Sequence, residues 1–200
     1  MPIKRLEDDS KSFLTPEQGA ALIRLARGAI TNRLRPGNLA NDFSDISTDD
    51  ALQSRRGTFV TLKRDGNLRG CIGYLGSDQD IFSGIRDNAL NAAFNDSRFE
   101  PISESELDDI AIEVTILTEA KKLTYIDADD LLVKLRPHVD GVILRKGPFG
   151  ATFLPQVWEQ LPNPDDFLSH LCQKAGLSPD AWKKEALEVM TYQAQYFAEK

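Results

Sequence analysis

Histidine, cysteine, methionine and tryptophan occur only twice each in this chain of 200 residues. Two cysteines in dissimilar settings, Cys71 and Cys172, do not suggest the disulfide framework of a small secreted domain, and they fit a reducing cytosol. The two histidines, His138 and His170, stand in no His-x-x-x-His or Cys-x-x-Cys spacing, so neither a protein-held metal nor another cofactor is expected. Positive charge is also short: 24 Lys and Arg against 31 Asp and Glu leave a formal net charge of −7, which argues against a nucleic-acid partner. The basic pairs Arg55-Arg56 and Lys121-Lys122 are too short to reverse that and read as solvated faces. No stretch approaches the roughly 18 apolar residues of a membrane span, and Met1 to Lys11 lacks the apolar run of a signal peptide. The expectation is a cytoplasmic protein with no membrane partner, without internal repeats or low-complexity segments.

Against these shortages stands a hydrophobic content of 41%, enough for one sizeable core or two small lobes. Thr15-Pro16-Glu17-Gln18 combines a capping hydroxyl, a first-turn proline and a glutamine three residues after the cap, and predicts a helix that Pro36-Gly37 stops. Asn38 to Arg56 reads as an irregular connection with a helical turn near Asp49 to Gln53. Ser77-Asp78-Gln79-Asp80 resembles a capping box for a second helix that carries Ile81, Ile85, Ala89 and Ala93 to about Asn95. Further short helices are predicted over Asp127 to Lys134, after Asn163-Pro164 and after Ser178-Pro179.

Strand signals are interleaved with these helices. Ile110, Ile112, Val114 and Ile116 alternate along a strand whose one charge is Glu113. Val142 to Arg145 and Ala151 to Leu154 flank a second hairpin, and alternation from Leu187 to Phe197 favours a strand in the tail. The first hairpin is the best defined: Gly57 to Lys63 is rich in β-branched and aromatic residues, and Asp65-Gly66 is a two-residue turn. With that turn, Lys63 pairs with Leu68, Leu62 with Arg69 and Val60 with Cys71. Period two then sends Arg69, Cys71 and Gly73 to one face and Ile72 to the other.

Six spaced motifs follow one another in chain order. They are Leu68 to Gly73 (Leu-Arg-Gly-Cys-Ile-Gly), Ala92 to Phe99, Ile112-Glu113-Val114, Asp140-Gly141-Val142, Leu154-Pro155-Gln156-Val157 and Lys174-Ala175-Gly176-Leu177. Together they resemble the AMMECR-one domain family, whose bacterial and archaeal members are also called AmmeMemoRadiSam system protein A. The resemblance implies an α+β fold: a single domain over 14–200 made of two unequal subdomains around largely antiparallel sheet with packed helices, preceded by an N-terminal extension at 1–13. It also implies neighbours as partners, namely a Memo-like protein similar to extradiol-type dioxygenases and a radical S-adenosylmethionine protein. It carries no established activity. Two departures are visible: Asp140-Gly141 stands where many members have His-Gly, and Asp96-Ser97-Arg98-Phe99 where Asp-Pro-Arg-Phe is usual.

Cys71 is the sharpest chemical candidate, because a thiolate is a nucleophile and a guanidinium on the same face, Arg69, would favour it. Gly70 and Gly73 present no Cβ and would admit a ligand. The other reading is equally physical: Cys71 as a small buried hydrophobe and the glycines as tight packing or a bulge. Asp96 and Arg98 are candidate polar contacts that also suit a helix cap or an ion pair with each other. Glu113 on an apolar strand must be paired or sit at a pocket, with Arg69 or Arg98 as the expected salt-bridge partner. Gln156 joins the binding candidates from its motif. The expected role is an enzyme or enzyme component holding a small-molecule ligand in a cleft beside the first hairpin, with Cys71, Arg69 and Glu113 at the chemistry. The alternative is a non-catalytic module that docks the partners.

Overall fold

The computed structural model describes residues 13–36, 43–76 and 78–199. The extension at 1–13, except Phe13, and Ser77 of the expected capping box lie outside the described residues. Contacts divide the chain into two units, Met1–Thr118 with Gln195–Lys200, and Glu119–Ala194.

In the first unit α1 (Pro16–Leu34) starts as its sequence dictates: Thr15 Oγ1 accepts from Gln18 N–H and the Gln18 side chain accepts from Thr15 N–H. A four-residue α2 (Ser44–Ser47) follows, and Asp49 to Gln53 makes the expected single helical turn, with Leu52 N–H and Gln53 N–H both donating to Asp49 O at 3.0 and 3.1 Å. The strands β1 (Thr58–Arg64), β2 (Asn67–Tyr74) and β3 (Ile110–Leu117) are followed at the end of the chain by β8 (Ala194–Ala198), and they form an antiparallel sheet around β1, in the order β2-β1-β3-β8. Between β2 and β3 runs α3 (Ile81–Phe94), whose N-cap is Asp80, accepting from Ser83 N–H, and not the serine of the capping-box pattern. The tripeptide Ile81-Phe82-Ser83 therefore begins the helix one turn later than the pattern suggests. Val60, Leu62, Ile112 and Val114 are almost wholly buried with Leu22, Leu25, Ile85 and Ala89 of the helices, so one sheet face meets α1 and α3. Each such aliphatic side chain contributes about 1.5–3 kcal/mol on burial.

The second unit holds β4 (Lys121–Lys122), α4 (Ala128–Lys134), β5 (Gly141–Lys146), β6 (Phe149–Phe153), α5 (Pro164–Lys174), α6 (Ala181–Lys184) and β7 (Glu188–Tyr192). Its sheet runs β4-β7-β5-β6, all antiparallel. Its core centres on Trp158 stacked on Phe167, ring centroids 3.7 Å apart, with Leu168, Leu171 and Cys172 from one side of α5. The tail alternation resolves into two strands, β7 in this sheet and β8 in the first.

Candidate functional site

The first hairpin turns at Asp65 and Gly66, both at positive φ (51° and 76°), as a two-residue turn of this kind requires. Arg64 pairs with Asn67 and Lys63 with Leu68, but Leu62 then pairs with Gly70, not with Arg69, and Thr61, not Val60, stands opposite Cys71. Arg69 is the extra residue of a β-bulge. In a bulge two residues face one partner and the local direction changes, and the contacts show where Arg69 goes. Its Nε and NH2 donate to the Glu106 carboxylate at 3.0 and 3.3 Å, and its NH1 donates to Glu100 O at 2.9 Å. Glu106 also receives Arg64 NH1 at 3.2 Å, while the neighbour on the other side of the strand, Lys63, reaches Glu113. Arg69 thus lies with Arg64 on the helix side of the sheet, and the expected Arg69-Cys71 face does not exist.

Both glycines of the motif are explained by close approach. A Cβ on Gly70 would stand 2.2 Å from the Ala92 carbonyl oxygen of α3, and one on Gly73 would stand 2.2 Å from the Phe59 ring. Those spaces are filled by the protein itself.

Cys71 sits on the sheet face opposite the helices, half-buried. Thr61 Oγ1 donates to its sulfur at 3.3 Å. Thr61 in turn stands opposite Glu113 on β3, so Cys71, Thr61 and Glu113 form a row across three strands. Lys63 Nζ closes the row with a salt bridge to Glu113 Oε2 at 3.0 Å, in place of the arginine partners expected for that carboxylate. All four side chains are partly exposed.

Asp96 and Arg98 act on the other side of β2, along the edge of the sheet. Asp96 Oδ2 accepts the Cys71 N–H at 2.9 Å and Arg98 NH2 donates to the Cys71 carbonyl at 3.1 Å. The two also pair with each other, Arg98 NH2 to Asp96 Oδ2 at 2.7 Å. They imitate a neighbouring strand and cover an edge that would otherwise present unpaired groups. The Arg98 guanidinium holds the Asp96 carboxyl far below the usual carboxylate range, with burial opposing and the Cys71 amide assisting. Glu106 is pulled down to about 2, first by Arg69 and then by the Ser103 N–H. Phe99 has both guanidiniums near its ring, Arg98 at 5.5 Å and Arg69 at 6.0 Å.

In the second unit Gln156 is exposed in the 3-10 turn Pro155–Glu159. Asp140 is buried and committed: Arg136 N–H and guanidinium donate to its carboxylate, and Trp158 Nε1 donates to its carbonyl at 2.7 Å. Cys172 is fully buried, and that burial pushes its thiol pKa up. Among the described residues no group of three or more His, Cys, Asp and Glu is placed to hold a metal ion, and no helix is long and apolar enough to cross a membrane.

Thr61, Lys63 and Glu106 are the residues that the motif reading overlooks. Glu106 had a signal: Ser103-Glu104-Ser105-Glu106 is a capping-box pattern, and Ser103 N–H and Oγ both donate to Glu106 Oε2 at 3.0 Å. Thr61 had none without the bulge.

The AMMECR1 family model matches residues 23–197. The chain belongs to the AMMECR1 family. It is 40% identical over 193 residues to a protein of Methanosarcina mazei, with 94% of each chain covered. To a protein of Methanothermobacter thermautotrophicus it is 37% identical, covering 93% of this chain and 96% of the other. The crystal structure of an uncharacterized protein from Pyrococcus horikoshii superposes with a TM-score of 0.76 at 33% identity and 94% coverage of both chains. The α+β fold with antiparallel sheets is therefore shared with the Pyrococcus horikoshii protein.

Proposed function

We propose that this AMMECR1-family chain is an enzyme component that binds a small polar molecule on the open sheet face around Cys71, with the thiol as a direct contact. The observation that carries this reading is the row Cys71, Thr61, Glu113 with Lys63, a thiol, a hydroxyl and an ion pair in cross-strand register and partly open to solvent. Such a row offers a ligand both a donor and an acceptor beside a soft sulfur. Attack by Cys71 as a nucleophile is the less supported form of the reading, because Arg69, the cation expected to favour a thiolate, is engaged by Glu106.

The second reading, a module that docks a Memo-like or radical S-adenosylmethionine partner, is supported by a different feature. Tyr74 and Leu75, adjacent at the end of β2, are 57% and 43% exposed, a small apolar surface of the kind that marks contact with other proteins.

Thiol alkylation separates working face from filled core. Iodoacetamide should modify Cys71 in the folded protein and leave the fully buried Cys172 untouched. Thr61→Val and Glu113→Gln should each change the Cys71 rate by roughly threefold or more without altering the fold. A Cys71 as inert as Cys172 would sink the ligand-contact reading and leave docking, which co-purification with the partners in the presence of Cys71→Ala examines separately.

A further inference from the structure

In the second unit the pairing of β4 with β7 stops early, and the place where it stops is hollow. The two strands are in register at Lys121↔Thr191 and Lys122↔Met190, and Leu123 N–H still donates to Val189 O at 2.9 Å. The next bonded rung of an antiparallel ladder would join the main chains of Tyr125 and Leu187. The Tyr125 side chain takes that rung instead: its hydroxyl donates to Leu187 O at 2.8 Å and accepts Leu187 N–H at 3.3 Å. Beyond it, residues 124–128 and 182–187 face each other across a cavity of about 450 Å³. Small-molecule pockets are of that size, roughly 300–1,000 Å³.

The walls are unfinished in two ways. The Tyr125 N–H and carbonyl, displaced from the ladder, have no hydrogen-bond partner among the described residues, and the same holds for Ala186 on the opposite wall. Ile126 precedes Asp127, the N-cap of α4, a position whose apolar side chain ordinarily packs on the fourth helical residue. That residue, Leu131, is fully buried, yet Ile126 stays 90% exposed at the lip of the cavity. The floor is apolar, from Leu123, Trp182, Leu187 and Val189.

The charged part of the rim favours an anion. Lys122 has no ion pair among the described residues. Lys183 lies over the Trp182 ring at 4.7 Å and pairs with Asp165, and Lys184 pairs with Asp180, but such exposed pairs exchange at little cost. The two acids of the lining are already engaged, Glu185 by Lys146 and Asp127 by the Asp130 N–H.

We propose that this opening in the second unit binds a small organic carboxylate with an apolar body, the body against Trp182 and Ile126 and the carboxylate at Lys122 and Lys184. An apolar body matches the floor and covers the exposed isoleucine. A carboxylate meets the lysines and can accept from the idle main-chain N–H groups, whereas a cation would meet three ammonium groups.

Titration of the full-length, isotope-labelled chain with hydrocinnamate, followed by NMR, tests the site. Saturable shifts are expected at the Tyr125, Ile126 and Ala186 amides and at the Trp182 indole N–H, with a Kd of about 1 mM or tighter. The Trp158 indole, stacked on Phe167 and bonded to Asp140 O, should stay in place. Hydrocinnamamide, which lacks the charge, and propionate, which lacks the ring, should each bind roughly tenfold more weakly. Lys122→Glu should weaken hydrocinnamate roughly tenfold and leave the amide unchanged. Ala186→Trp, at an exposed position of the lining, fills the opening and should abolish binding. Ile126→Ser, at a side chain that the fold leaves in solvent, is the milder variant and should weaken binding about threefold. Absence of saturable shifts up to roughly 10 mM would overturn the site. Equal affinity for acid and amide would overturn the carboxylate, and binding that survives both Ala186→Trp and Ile126→Ser would overturn the location.

Discussion

Each unit contains a buried aspartate clamped by a half-exposed arginine, and the two pairs are built for different ends. The side chains of Asp96 and Arg98 are 4% and 54% exposed, and those of Asp140 and Arg136 are 3% and 48% exposed. In both, a charge-assisted pair at 2.6 to 2.7 Å offsets the cost of removing a carboxylate from water. The difference lies in the remaining bonds. Asp140 takes the N–H of Arg136, closing the short turn that also contains His138 at φ 64°. Asp96 takes the N–H of Cys71, and Arg98 donates to its carbonyl, so that pair fastens an edge strand 25 residues earlier in the chain. One pair shapes a loop and the other holds a sheet edge at its thiol-bearing residue.

The comparison breaks first on deletion of the carboxylates. Asp96→Ala strips the Cys71 amide of its acceptor and Arg98 of its counter-ion, at an expected loss of about 3 kcal/mol. Asp140→Ala should cost about 2 kcal/mol, because its bonds close only a local turn. Chemical denaturation gives the magnitudes, and hydrogen exchange gives the location. Cys71 N–H should become fast-exchanging in Asp96→Ala and stay protected in Asp140→Ala. Equal deprotection of Cys71 in both variants would erase the distinction between loop and edge.

Acid sharpens the same contrast at a smaller scale. Asp96 is held below its ordinary range mainly by Arg98, and Glu106 is pulled from 4.5 to about 2 mainly by Arg69. A carboxylate depressed in the folded state stabilises it fully above the unfolded value and loses that contribution as pH falls through the folded one. The first unit should therefore lose stability below about pH 4.5, progressively down to about pH 2, by roughly 1–2 kcal/mol from Glu106 once solvent screening is allowed for. Asp96→Asn removes one of these titrations, so its stability should fall less steeply with acid than that of the parent chain. Parallel slopes would show that Asp96 carries none of the acid dependence.

Much of this was legible from residues alone where the cause is local. Thr15 to Gln18 caps α1 with the two bonds that the pattern implies, Asn163 caps α5, and Asp65-Gly66 turns the first hairpin. What escaped depends on contacts far along the chain. The bulge at Arg69 is tied to Ala92 of α3 lying against Gly70 and to Glu106 drawing the guanidinium across, and neither is visible in the hairpin's own sequence. That single shift moved Arg69 away from Cys71 and brought Thr61 beside it. Asp80 displaced the expected cap of α3 for a similar reason, since the Ile81 and Phe82 amides bond to Ser54 and Leu52 carbonyls and fix where the helix can begin.

The smallest effect bears most directly on the proposed site. Lys63 and Glu113 form the one ion pair in the Cys71 row, with side chains 43% and 24% exposed. Exposed pairs of this kind contribute little, because solvent screens the attraction and two long side chains lose freedom. Lys63→Ala should therefore change stability by no more than about 0.5 kcal/mol, several times less than Asp96→Ala. A pair that the fold scarcely needs is free to exchange partners, and a bound polar molecule could take Glu113 or Lys63 at little cost to the sheet. If Lys63→Ala instead destabilised the chain as much as Asp96→Ala, the row would be part of the scaffold, and the open face would lose its claim to be the working surface.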